Sequence, residues 1–149
     1  MKNNFVLKIP SIKQLPCHCG PCCLTMVLNY YKIKNIYQVK IGKEINVTFR
    51  SGCFPFQVIK YLKKYNIVCR KDGGRKRALS YFEKTRQPII LGEVDHFTLL
   101  IGKKDDKYII NDPYYGKQKI KSLDYFQKIN EYLIIIEALG VNYEKESKN

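Results

Sequence analysis

From residue 19 onward, the apolar positions of CCLTMVLNYY fall at 23, 24, 27, 28 and 31. That is the spacing of a single helical face, and it predicts a helix with cysteines in its first turn. A second short helix is expected over Tyr37–Ile45 and a third over Pro55–Tyr65, where Pro55 suits a helical N-terminus. Beyond residue 66 the period changes. Ile67–Arg70 reads as a short strand, Arg77–Thr85 as a helix, and Pro88–Val94, His96–Gly102 and Lys107–Asp112 as strands, with Lys103–Asp106 a polar hairpin turn between the last two. A strand near Gln118–Ile120, a helix over Leu123–Ile129 and a strand over Tyr132–Glu137 complete the series. Helices first and mostly antiparallel strands afterwards predict an α+β domain of two packed layers.

At 149 residues without internal repeats, the chain suits a single domain, expected over 1–141 with a polar tail at 142–149. The hydrophobic fraction of 45%, with twelve Tyr and seven Phe, excludes a disordered chain. The longest apolar run, Tyr132–Leu139, is interrupted by Glu137 and is far short of the roughly 18 residues that cross a bilayer, so no membrane insertion is expected. The opening MKNNFVLKIPSIKQ has neither a continuous apolar stretch nor a small-residue cleavage site, which leaves the cytoplasm as the expected compartment.

The net charge of +14, from 27 basic and 13 acidic residues, raises a nucleic-acid or membrane-surface role. Heavy use of Lys, Asn, Ile and Tyr is also what an AT-rich genome produces whatever the function. No aromatic-basic or glycine-rich single-strand motif accompanies the charge, and no specific nucleic-acid partner is expected. The one dense basic cluster, Lys71–Arg77, reads as a solvated loop that would help an acidic peptide approach.

Four of the six cysteines crowd into CHCGPCC, residues 17 to 23. Neighbours on one helical turn do not easily bridge, so the pattern is not a disulfide scaffold. Cys19-Gly20-Pro21-Cys22 spells a redox dithiol, but that chemistry needs a preceding strand of a βαβ unit. Only sixteen residues precede Cys17, and they are broken by Pro10 and Pro16. A structural zinc site needs a second ligand pair, and Cys53 and Cys69 stand alone; neither metal nor cofactor is expected. The remaining reading is one nucleophilic thiol at a helix N-terminus, where unpaired backbone N–H groups and the helix dipole favour thiolate. Cys19 fits, since Gly20 and Pro21 make a plausible first turn and the apolar face registers from it.

A thiol nucleophile needs a base, and the chain has two histidines. His18 is expected to face solvent, pointing away from Cys19. His96 opens a strand, where a lone histidine is usually structural. Asp112 tilts the balance, because it ends the next strand of the expected hairpin, where imidazole and carboxylate can meet. Gln14, five positions before Cys19 on an extended segment, is placed to donate its amide to an oxyanion, with a surface glutamine the equal alternative on spacing alone.

Taken together, Gln14…Cys19–Tyr31, His96–Gly102 and Asn111–Gly116 resemble a known family. It comprises the papain-like cysteine peptidases that remove double-glycine leader peptides from bacteriocins and related peptides. Leu79-Ser-Tyr-Phe, Gln87-Pro-Ile-Ile and Leu123-Asp-Tyr-Phe are similar too, and the resemblance covers about residues 8–138. Such domains often form the N-terminal part of peptide-exporting ABC transporters and also have stand-alone relatives.

The resemblance implies a papain-like fold, with Cys19 as nucleophile, His96 as general base and acid, Asp112 as orienter and Gln14 as oxyanion donor. It implies a peptide substrate cut after two small residues and, since no transporter segments are read in the chain, a separate ABC transporter as partner. The same acyl-thioester chemistry also serves an isopeptidase or an acyltransferase. A non-catalytic module that binds leader peptides is the alternative outside the enzymes, and the intact Cys, His, Asp and Gln set argues against it.

Overall fold

The computed structural model describes residues 3–48, 50–93, 95–128 and 133–139. The expected element ends at Val94, Ile129 and Tyr132 and the expected tail 142–149 lie outside these residues.

Helix α1 (Cys19–Tyr30) begins with three residues whose N–H groups have no intrahelical acceptor, so Pro21 costs the helix no hydrogen bond. The Thr25 hydroxyl donates to the Pro21 carbonyl at 3.0 Å, satisfying a buried polar group. The single apolar face predicted for this helix is incomplete: Cys19 through Leu28 are all buried. The helix is enclosed by α2 (Gln38–Glu44), α3 (Pro55–Lys64) and the sheet, so even Thr25 and the thiols of Cys22 and Cys23 are interior. Pro55 opens α3 as expected, and the Gln57 side chain accepts the Phe54 N–H at 2.7 Å, taking up a donor that the helix cannot.

The strands are β1 (Phe5–Val6), β2 (Ile67–Asp72), β3 (Ile89–Glu93), β4 (His96–Lys104), β5 (Lys107–Asp112), β6 (Lys117–Lys121) and β7 (Leu133–Leu139). They form one antiparallel sheet in the order β2-β7-β3-β4-β5-β6, with β1 on β4 beyond the end of β3. Two helices follow the first three, α4 (Arg75–Thr85) and α5 (Leu123–Lys128).

The α+β class holds, but the sheet is covered on both faces rather than one. Phe97, Leu99, Ile90 and Ile134 pack toward α1 and α3. Ile89, Leu91, Leu100 and Ile135 pack the other way, against Phe82 of α4 and Phe126 of α5. This is why the strands read as unbroken apolar runs: a strand buried on both faces has no polar side to show.

Three further differences from the sequence reading have local causes. Strand β1 was not foreseen, because two residues carry no period; it docks where Gly102 lacks a side chain, since a Cβ there would lie 2.6 Å from the Phe5 carbonyl oxygen. The hairpin turn is tighter than expected: β4 runs through Lys104 and β5 starts at Lys107, leaving Asp105 in a left-handed conformation at φ 58°.

The stretch Lys71–Arg77 is not a solvated loop either. Lys71 and Asp72 finish β2 and Arg75–Arg77 open α4. Asp72 draws them together: its carboxylate accepts the Gly74 N–H at 2.7 Å and Arg77 Nη2 at 2.7 Å, and it pairs with Arg70.

Candidate active site

The thiol side of the site is built by the turn that leads into α1. The segment before it is pinned at both edges. The Gln14 N–H donates to the Pro113 carbonyl at 2.9 Å, the Leu15 N–H to Gln38 Oε1 at 2.8 Å, and the Gln38 amide to the Lys13 carbonyl at 3.0 Å. Cys17 takes a left-handed conformation at φ 61°, which turns the chain so that α1 starts at Cys19. The neighbouring thiols then separate by environment. Cys22 and Cys23 have no exposed surface; burial pushes Cys22 up to about 12 and holds Cys23 well above the ordinary thiol value. The Cys22 thiol donates to the Ile12 carbonyl at 3.3 Å. Both are core side chains, whereas Cys17 and Cys19 line a cleft.

The imidazole side is built by the β4–β5 hairpin. Its register sets Leu99 opposite Asn111, which brings the first residue of β4 beside the last of β5. His96 Nε2 stands 2.9 Å from Asp112 Oδ1. A carboxylate only accepts, so Nε2 carries the hydrogen and donates it, leaving Nδ1 for a second partner. Cys19 lines the same cleft as this ring and acts on its protonation. Burial opposes a charge on His96, but the polar and charge interactions of Cys19 and Asp112 together outweigh it and hold the imidazolium up to about 9. Asp112 is itself fixed at the head of a turn: Oδ1 also accepts the Tyr114 N–H at 3.0 Å, and its carbonyl accepts the Gly116 N–H at 2.9 Å.

Cys19, His96 and Gln14 share one cleft of about 710 Å³, lying between the α1 start, the loop Arg50–Pro55 and the β3–β4 turn. Among the described residues the Gln14 amide nitrogen makes a long 3.4 Å contact with the Leu15 carbonyl, and its oxygen has no hydrogen-bond partner. The four residues singled out by sequence are thus brought to one place, Asp112 directly behind the imidazole. His18 behaves differently from the expectation of a solvent-facing neighbour. It is half-buried, bonded through Nδ1 to the Pro16 carbonyl at 2.7 Å, and its ring lies where a Cβ on Gly42 would be 2.4 Å from Nε2.

Sequence reasoning passed over other residues of the cleft. Cys53 sits with its sulfur over Gly20, so close that a Cβ at position 20 would lie 1.9 Å from it. Its thiol is pushed up to about 12, first by burial and then by the nearby Cys19. A lone cysteine in an irregular loop carries no signal of this contact. Glu93, opposite His96 across the β3–β4 pair, also lines the cleft, and burial raises its carboxyl above the usual range. Tyr114 sets its ring edge-on to His96, with centroids 6.4 Å apart.

Comparison with solved structures finds the same fold. A double glycine motif protease from an AMS/PCAT transporter, solved in complex with the leader peptide, is 26% identical, with a TM-score of 0.71 over 87% of this chain and 91% of its own. The peptidase domain of Streptococcus ComA, a bifunctional ABC transporter of a quorum-sensing pathway, is 19% identical, with a TM-score of 0.70 over 86% and 97%. A C39-like peptidase from Bacillus anthracis is 17% identical, with a TM-score of 0.72 over 91% and 98%. No curated protein sequence matches the chain significantly. The model of the Peptidase C39 family matches residues 11–138, a span that holds the thiol, the imidazole and the sheet that joins them. The chain therefore belongs to the Peptidase C39 family and is a cysteine peptidase.

Proposed function

We propose that the protein cleaves a leader peptide after a double-glycine-type sequence, with Cys19 as nucleophile, His96 as general base and acid, Asp112 as orienter and Gln14 as oxyanion donor. The observation that carries this reading is an imidazole bonded to Asp112 in the same cleft that Cys19 and Gln14 line. Cys19 sulfur attacks the peptide carbonyl, and the Cys19 N–H and the Gln14 amide stabilise the developing oxyanion. Protonated His96 gives its Nδ1 proton to the leaving amine, which frees the first product and leaves a thioester. Neutral His96 then takes a proton from water, the hydroxide displaces the thiolate, and the acid product departs. Asp112 accepts from Nε2 throughout, keeping Nδ1 toward the sulfur and supporting the imidazolium.

The substrate class is supported by the double glycine motif protease that this chain resembles, which was solved with a leader peptide bound. No helix among the described residues is long and apolar enough to cross a membrane. In this reading the enzyme works in the cytoplasm on a bacteriocin-type precursor, before a peptide-exporting ABC transporter.

The test is a synthetic leader ending in Gly-Gly followed by a short cargo, analysed by mass spectrometry. Cleavage after the second glycine is expected, and Cys19→Ala should reduce it by about 10³-fold or more. Tight binding of the peptide without cleavage would replace this reading with that of a leader-binding module.

A further inference from the structure

The aspartate behind His96 has a second oxygen, and that oxygen has a partner of its own. Oδ2 faces Lys119 Nζ at 3.5 Å, while Oδ1 serves His96 and the Tyr114 N–H. Lys119 lies on β6, the edge strand, where Asp112 is opposite Lys117 and Ile110 is opposite Lys119, so the ammonium reaches the carboxylate along the diagonal of the pair. It also lies 3.5 Å from the centroid of the Tyr115 ring. Edge-strand lysines ordinarily only discourage a further strand from pairing. This one is held between an aromatic face and the carboxylate that bonds the site's imidazole.

We propose that Lys119 is a positioning residue for the peptidase reaction, keeping the Asp112 carboxylate turned toward His96 and lowering the proton affinity of the imidazole by offsetting part of the aspartate's charge. This rests on the Cys19, His96 and Asp112 assignment above. A carboxylate anchored by one oxygen can still swing about its Cβ–Cγ bond; a cation on the other oxygen removes that freedom, and sub-ångström placement matters strongly for rate. The titratable and charged groups around the His96–Asp112 pair come from several elements: Cys19 and the buried, neutral Cys23 thiol on α1, Glu93 on β3, and Lys119 on β6, with Lys121 acting on Glu93. Cys19 and the carboxylates favour the imidazolium. Among the described residues Lys119 is the lysine in contact with the aspartate, so its loss leaves the Asp112 charge facing His96 without that offset.

The test compares wild type, Lys119→Met and Lys119→Arg by NMR titration of the imidazole and by the pH dependence of leader-peptide cleavage. With two histidines in the chain, His18→Asn assigns the signals. In Lys119→Met the His96 titration should rise by about half a pH unit, and the alkaline limb of kcat should move up with it. Its kcat should fall about five- to tenfold with KM unchanged. Lys119→Arg should restore all three. An unchanged His96 titration and pH profile in Lys119→Met overturns the proposal, even if the variant melts earlier. A shifted titration in a protein that cuts no peptide would support the role of Lys119 and sink the leader-peptidase reading; cleavage without any shift does the reverse.

Discussion

Asp72 and Asp112 are near twins in local structure and opposites in use. Each ends a strand, each is more than nine-tenths buried, and each accepts the backbone N–H two residues on, at 2.7 Å from Gly74 and 3.0 Å from Tyr114. Each also gathers cations from more than one element. At Asp72 these are Arg70 of β2 and Arg77 of α4, guanidinium groups that stay charged at any accessible pH. They and the Gly74 N–H hold its carboxyl well below the usual range, and nothing in the cluster can trade a proton. At Asp112 one partner is an imidazole that shares its cleft with the Cys19 thiol. The turn chemistry is therefore shared, and in the proposed reading the capacity for catalysis comes from the partner: a group that changes charge within the accessible pH range, set in a cleft beside a thiol.

Truncating each aspartate breaks the comparison most directly. Asp112→Ala should lower kcat by about 10²-fold while the protein stays folded, because in the proposed reading His96 loses its orienter while Cys19 and the cleft remain. Asp72→Ala should leave kcat within about twofold and cost about 2–3 kcal/mol of stability in urea titrations at neutral pH, since two guanidinium groups and a backbone N–H lose their common acceptor. If instead Asp72→Ala abolished cleavage in a folded protein, the division into staple and site would be wrong.

A smaller effect is expected at the thiol end. Gly20→Ala puts a methyl group 1.9 Å from Cys53 sulfur. The displacement should cost about 1–2 kcal/mol and lower kcat/KM, and the additional change Cys53→Ala should restore most of both. Failure of the double variant to recover would mean that the helix start, rather than the cysteine, resists the side chain.

The smallest effect separates the two clusters by pH. Asp72 has a lowered folded value, so its stabilisation is present above its unfolded value of 3.8 and is lost as pH falls below that toward the folded one. His96 has a raised value, so its contribution is complete below 6.5 and is lost as pH rises through about 9. Denaturation midpoints of Asp72→Asn should converge on wild type in acid, and those of His96→Gln should converge above pH 9. Curves that stay parallel across both ranges would remove the linkage.

Much of the fold could be read along the chain. Pro55 opening α3 and the hairpin of β4 and β5 lie within a few residues of their expected places. The basic stretch after β2 is misleading as sequence because Lys71, Arg75 and Arg77 look alike, while Asp72 binds Arg77 across the turn into α4 and Arg70 meets Glu137 only once β2 pairs with β7. In the site, Cys19, His96, Asp112 and Gln14 could be singled out because helix start, strand start, strand end and extended segment are local features with known chemistry. Cys53, Glu93 and Lys119 had no such mark.

What the sequence by itself determined is the periodic part of the protein: which segments are helix or strand, where they turn, and which residue types stand at their ends. Burial of apolar faces and turn geometry act over a few residues, so composition and spacing suffice for them. Tertiary structure alone decided which of the neighbouring thiols enters the cleft and which enter the core, which sulfur covers Gly20, and which lysine meets Asp112. Those contacts depend on strand register and on packing between segments far apart in the chain, and no nearby residue encodes either.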